Sequence, residues 1–113
     1  MGNFEFKKCG DIDGLYEINI KVYKDPRGFN MENYNEEAFF AEGLTMRFVQ
    51  DNYSVSSKNV FRGLHFQRKY QQGKLVRVIR GEVFDAVVDL REGSKTYGAW
   101  YGVVLSAEKN NML

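Results

Sequence analysis

Short segments with a two-residue hydrophobic period, broken by glycine, run along most of this 113-residue chain. Ile18, Ile20 and Val22 alternate with Asn19, Lys21 and Tyr23, the period at which a strand turns successive side chains to opposite faces. The pattern predicts strands around residues 18–23, 46–52, 59–67 and 100–105. It also predicts strands over residues 74–80 and 82–90, joined at Gly81 as a hairpin or a bulged strand. Asp25-Pro26-Arg27-Gly28 reads as a turn, with proline fixing φ and glycine free to take positive φ. Asn35-Glu36-Glu37-Ala38-Phe39-Phe40-Ala41-Glu42 predicts one short helix: Asn35 caps it, acids fill its first turn and Gly43 follows its end. Many short strands with a single short helix predict an all-β sandwich or jelly-roll barrel. Residues 106–111 read as a further turn, and Met112-Leu113 as the first step of another strand. Five or six strands are few for a closed jelly roll, so a partner chain or a longer protein is expected to complete the sheet.

The length allows one domain with a modest core. Apolar residues make up 43% of the chain, which argues for a globular protein over a disordered one. The formal charge of +1 offers no basic or acidic surface to nucleic acid or membrane, so an anionic ligand must be held by local arginine and lysine. Cys9 is alone, which excludes an internal disulfide framework and suits a reducing compartment. No apolar run approaches membrane-spanning length, and the N-terminus alternates apolar and charged residues without a signal-peptide core. A cytoplasmic protein is expected.

The chemistry is narrowed further by a single histidine, His65, in Arg62-Gly63-Leu64-His65-Phe66-Gln67. One histidine cannot build a histidine-cluster metal site within one chain, but it is the first candidate for acid–base work near neutral pH. Arg62 and His65 are three apart, so on a regular strand they face opposite ways; a bulge at Gly63 brings both into one cavity. Lys74 falls in line with Val76 and Val78, so it either reaches out at a sheet rim or stands in a cavity where its charge is used. Gln50 and Asn52 share a strand face where their amides could bond a base or sugar. Arg27 and Glu32 flank Phe29, either as a solvated loop pair or as ligand contacts. Arg27, Arg62 and Lys74 together suit a diphosphate, because guanidinium forks match phosphate oxygens. No glycine-rich phosphate loop precedes a helix.

Five segments in order carry more than any one of them: Asp25-Pro26-Arg27-Gly28-Phe29, Phe48-Val49-Gln50-Asp51-Asn52, Arg62-Gly63-Leu64-His65-Phe66-Gln67, Gln72-Gly73-Lys74-Leu75-Val76-Arg77-Val78 and Gly81-Glu82-Val83-Phe84-Asp85. With Val88-Asp89-Leu90-Arg91 and Leu105-Ser106-Ala107-Glu108, they closely resemble the dTDP-4-dehydrorhamnose 3,5-epimerase family over nearly the whole chain. The resemblance implies a cupin-like jelly roll, a homodimer whose N-terminal region crosses the interface, and no metal or cofactor. It implies a dTDP-4-keto-6-deoxyhexose substrate inverted at C3 and C5 on the route to dTDP-rhamnose. By position, His65 matches the family's catalytic base and Lys74 the residue facing the C4 oxygen. Arg27, Glu32, Gln50, Asn52 and Arg62 match its nucleotide- and phosphate-binding positions, with Arg27 and Glu32 serving the neighbouring subunit's site.

The family pattern also contains a tyrosine acid, an aspartate that orients the histidine and a Pro-x-Gly-Phe-x-His-Gly stretch, all downstream of Ser106-Ala107-Glu108. These have no counterpart in residues 1–113, and none of the seven tyrosines falls at the acid position. The expectation is a single cupin-like domain over residues 1–113 that lacks the family's C-terminal strands and helices, and is impaired as an epimerase on its own. Two alternatives stay open: a non-catalytic nucleotide-sugar-binding cupin, and an epimerase acting at one carbon.

Overall fold

The computed structural model describes residues 2–113. Its elements are β1 (Phe4–Lys8), β2 (Tyr16–Ile20), β3 (Val22–Asp25), β4 (Gly28–Met31), α1 (Glu36–Ala41), β5 (Glu82–Val88), β6 (Trp100–Ser106) and β7 (Asn111–Met112). They form a three-stranded sheet in the order β1-β2-β7 and two antiparallel pairs, β3-β4 and β5-β6. The expected all-β class with one short helix is what forms.

β1 and β2 pair from Phe4 opposite Ile20 to Lys8 opposite Tyr16. Their alternation turns Phe4, Phe6, Ile18 and Ile20 to one face, where they pack on Phe39, Leu44 and Met112. Edge-to-face ring pairs knit this cluster, with Phe39 meeting Phe4 at 5.3 Å, Phe6 at 5.2 Å and Tyr34 at 4.7 Å between ring centres, a geometry that adds to simple burial. A second cluster joins Cys9, Leu105 and Leu113 to Leu15, Val78, Val87, Tyr101 and Val103.

Helix α1 forms as expected. Asn35 lies outside the helix at φ −144°, and its Oδ1 accepts the Ala38 N–H at 2.9 Å. The C-terminal end closes with Gly43 N–H to the Phe40 carbonyl at 3.0 Å and Leu44 N–H to the Phe39 carbonyl at 2.9 Å. Gly43 takes φ +90° to do so, and buried Leu44 packs in the same cluster as Phe39, which is the apolar contact that accompanies this cap. The predicted turn at Pro26-Arg27 also forms, pairing Asp25 with Gly28.

Three strand expectations are corrected. Residues 46–52 and 59–67 run as irregular chain. A strand needs a hydrogen-bonded neighbour, and these segments find none among the described residues; Val49 stays 93% exposed and Phe61 84% exposed. Residues 74–80 make no hairpin with residues 82–90. Val76 instead exchanges both backbone bonds with Leu113, at 2.9 and 3.0 Å, and Arg77 bridges Met112. β5 pairs with β6 through the full register from Glu82 opposite Ser106 to Val88 opposite Trp100. Two strands arise that alternation alone did not single out, β1 and β4.

Candidate functional site

The seven candidate residues sit on different kinds of chain. Arg27 occupies the β3–β4 turn, where its backbone N–H and guanidinium both bond Asp25, the guanidinium Nη2 at 2.7 Å from Oδ2. This pairing lowers the Asp25 carboxyl and raises the Arg27 guanidinium from their ordinary values, the side-chain bond being the larger cause in each. The Arg27 side chain is 90% exposed, so it is presented outward on a short, stiff turn. Glu32 follows β4 and is held by Asn3 Nδ2 at 3.1 Å and Asn35 Nδ2 at 3.2 Å.

Gln50 donates to Asn52 Oδ1 at 3.2 Å, so the two amides do share one side of the chain although the segment is not a strand. Arg62 donates from Nε to Ser56 Oγ at 3.0 Å and from Nη2 to the Val55 carbonyl at 3.4 Å. Both contacts fold the 55–62 segment back on itself. Gly63 takes φ +118° in chain that is irregular on both sides, so the expected bulged strand between Arg62 and His65 does not form. His65 is exposed.

Lys74 borders an apolar cleft with Tyr16, Ile18, Phe39, Leu44, Met46, Phe48, Leu75 and Leu113. Neither reading open for this lysine forms as stated: residues 74–76 are not a strand, and the Lys74 side chain is exposed at the edge of the cleft while its neighbour Leu75 packs on the first core cluster. A Cβ at neighbouring Gly73 would meet the Met46 thioether, which would have to move aside. Phe48 reaches the same cleft and packs edge-on against Tyr34 at 5.3 Å. The cleft therefore gathers Lys74 and the start of the 48–52 segment, and Tyr34, two residues after Glu32, packs on its Phe48. Among the described residues, no hydrogen bond or ion pair joins Arg27, Arg62, His65 and Lys74 to one another, so the anticipated diphosphate trio is not assembled as a contact cluster.

One titratable group went without a role in the sequence reading. Asp85 on β5 faces Val103 across the strand pair and shares a face with Val87, which packs on the second core cluster. Burial pushes its carboxyl up from the ordinary value, a hallmark of functional carboxylates as well as of tight packing. The signal available was an acid inside the otherwise apolar Val83-Phe84-Asp85-Ala86-Val87-Val88. Among the described residues, no three His, Cys, Asp or Glu side chains converge as a metal site, and no helix is long and apolar enough to cross a membrane.

Comparison with known proteins places this geometry. The family model for dTDP-4-dehydrorhamnose 3,5-epimerase matches residues 10–113. The chain is 57% identical over 108 residues to the dTDP-4-dehydrorhamnose 3,5-epimerase of Methanothermobacter thermautotrophicus, covering 96% of this chain and 58% of that protein. It is 46% identical over 96 residues to the dTDP-4-dehydrorhamnose 3-epimerase of Streptomyces niveus, covering 83% of this chain and 46% of that one. The crystal structure of dTDP-6-deoxy-D-glucose-3,5-epimerase from Legionella pneumophila in complex with dTDP-4-keto-L-rhamnose superposes with a TM-score of 0.88 at 47% identity, covering 96% of this chain and 58% of that one. The fold that the chain shares with these neighbours is all-β and cupin-like. The chain belongs to the dTDP-4-dehydrorhamnose 3,5-epimerase family. It spans a little under three-fifths of the length of the relative from Methanothermobacter.

Proposed function

We propose that this chain forms the nucleotide-sugar-binding and proton-abstracting part of an epimerase acting on a dTDP-4-keto-6-deoxyhexose in dTDP-rhamnose biosynthesis. The observation that carries the reading is the superposition, over 96% of this chain, on a relative holding dTDP-4-keto-L-rhamnose. Arg27, Glu32, Gln50, Asn52 and Arg62 serve the nucleotide and its phosphates, and Arg27 and Glu32 reach the neighbouring subunit of a homodimer across which the N-terminal region packs. Residues 1–113 act as one cupin-like domain, in the cytoplasm, without metal or cofactor.

The hydrogens at C3 and C5 are acidic because each lies beside the C4 ketone. His65 as neutral imidazole takes one of them, the C–H electron pair moves into the carbonyl, and an enolate forms. Lys74, on the rim of an apolar cleft, stabilises the negative charge on O4, and a preorganised cation acts more strongly beside a low-dielectric wall than in water. Inversion is completed by a proton delivered to the opposite face of the carbon, the task that the family pattern gives to a tyrosine downstream of Ser106-Ala107-Glu108, so residues 1–113 on their own account for exchange better than for inversion. Cation and base therefore divide the work of one enolisation.

Incubating the protein with dTDP-4-keto-6-deoxyglucose in deuterated water tests the reading by NMR. Deuterium enters C3 and C5, and His65→Ala slows that entry by about 10²–10⁴, the usual worth of a positioned general base. Exchange at C3 alone favours the second reading, a single-carbon epimerase, which the match to the Streptomyces 3-epimerase supports. Binding of dTDP with no exchange at either carbon marks a non-catalytic binding module.

A further inference from the structure

The carboxylate of Glu32 is committed on both sides before any ligand arrives. Asn3 Nδ2 donates to Oε1 at 3.1 Å and Asn35 Nδ2 donates to Oε2 at 3.2 Å. Each asparagine is itself fixed at its other end. The Tyr23 hydroxyl donates to Asn3 Oδ1 at 2.5 Å, and Asn35 Oδ1 accepts the Ala38 N–H at 2.9 Å as the cap of α1. Rotating either amide by half a turn would set its oxygen against a Glu32 carboxylate oxygen, acceptor against acceptor, so both donors are locked toward Glu32.

The neighbours of Glu32 are tied down as well. Asn33 accepts a hydrogen bond from Arg77, and Tyr34 packs between Phe39 and Phe48 at 4.7 and 5.3 Å. A four-residue connection between β4 and α1 is thus restrained at every position, by Asn3 ahead of β1, by Phe39 and the Ala38 N–H of α1, and by Phe48 and Arg77 from chain outside the named strands. A carboxylate has about four acceptor sites; two amides, one on each oxygen, leave the others free.

We propose that Asn3 and Asn35 are positioning residues that hold the Glu32 carboxylate in a single orientation to accept a hydrogen bond from the nucleoside part of the ligand. The proposal rests on the nucleotide reading of the site. Its gain is preorganisation: a glutamate side chain otherwise loses rotamer freedom on binding, and the two amides remove that loss beforehand.

Calorimetric titration with dTDP tests it on the full chain and on Asn3→Ala, Asn35→Ser and Glu32→Ala, singly and in pairs. Serine keeps the helix cap but lacks the amide donor, so Asn35→Ser melts close to the unmodified chain. Each asparagine variant is expected to weaken dTDP binding about tenfold, the scale of one hydrogen bond to a charged group, and to have no further effect once Glu32 is alanine. An equal loss with and without Glu32 reveals a general structural role and overturns the proposal, as does unchanged affinity in both single variants. The side-chain amide resonances of Asn3 and Asn35 report the clamp without ligand, and both shift in Glu32→Ala. If they stay put, the clamp is wrong. If they shift but the unmodified chain fails to bind dTDP, the nucleotide reading fails and the ligand-facing role falls with it.

Discussion

The Asp89 carboxylate is shut away from solvent, yet it accepts five hydrogen bonds: from the Arg91 backbone and guanidinium, Ser94 and Thr96. Those partners, Arg91 first, hold it well below the ordinary carboxylate range. A carboxyl depressed on folding stabilises the native state above its unfolded value near pH 3.9 and surrenders that stability as acid is added. Urea midpoints of this chain are therefore expected to fall steadily from about pH 5 downward. Asp89→Asn lowers the midpoint at neutral pH and flattens the acid slope; a variant that keeps the original slope would show that other carboxyls carry it. Asp85 runs the other way, burial having raised it, so acid relieves rather than harms that position. At this scale the candidate site residues were nominated by motif position, because a motif preserves identity and spacing. Asp89 and Asp85 were not, because the state of one is set by how the loop that follows it folds Arg91, Ser94 and Thr96 back onto the carboxylate, and that of the other by the face on which its strand is buried.

Among the elements, the helix and the β3–β4 turn were legible because their causes are local: an asparagine cap, a proline, a glycine at the end. The failures were segments whose structure depends on a neighbour. Residues 46–52 alternate as strands do, yet hydrogen-bond partners decide whether alternation becomes a ladder. The β5–β6 pair holds a further test. Gly102 stands opposite Ala86, and a Cβ there meets the ring tips of Phe84 and Trp100. Both rings are largely exposed, so they can swing aside while the backbone ladder stays. Gly102→Ala is thus expected to shift the emission of Trp100, the single tryptophan, while changing the melting temperature by only a few degrees, since a surface adjustment costs about 0.5 kcal/mol. Large unfolding instead of a spectral shift would mean that the two rings are pinned.

The whole molecule is more open than its length demands. Its radius of gyration is 15.1 Å, against about 13 Å for a compact domain of this size. The excess lies where strand-prone chain has no strand beside it: Val49, Tyr53, Val55, Phe61, Leu64 and Phe66 all stay exposed. Surface of this kind associates. Sedimentation is expected to show a concentration-dependent dimer or larger species, and a monodisperse folded monomer would contradict the proposed intersubunit packing. Asn111 shows where closure within the chain comes from. Its buried amide donates to Glu17 at 2.8 Å and to the Val104 carbonyl at 3.0 Å, and its Oδ1 accepts the Ser106 N–H at 3.1 Å, so it staples β7 to both β2 and β6. Glu17 and Asn111 lie 94 positions apart. During synthesis at roughly 5–20 residues per second, β2 must therefore wait on the order of 5–20 s for its second neighbour to leave the ribosome. Through that interval its free edge lies open to any passing strand, which makes this sheet a natural client for a chaperone that shields nascent chains.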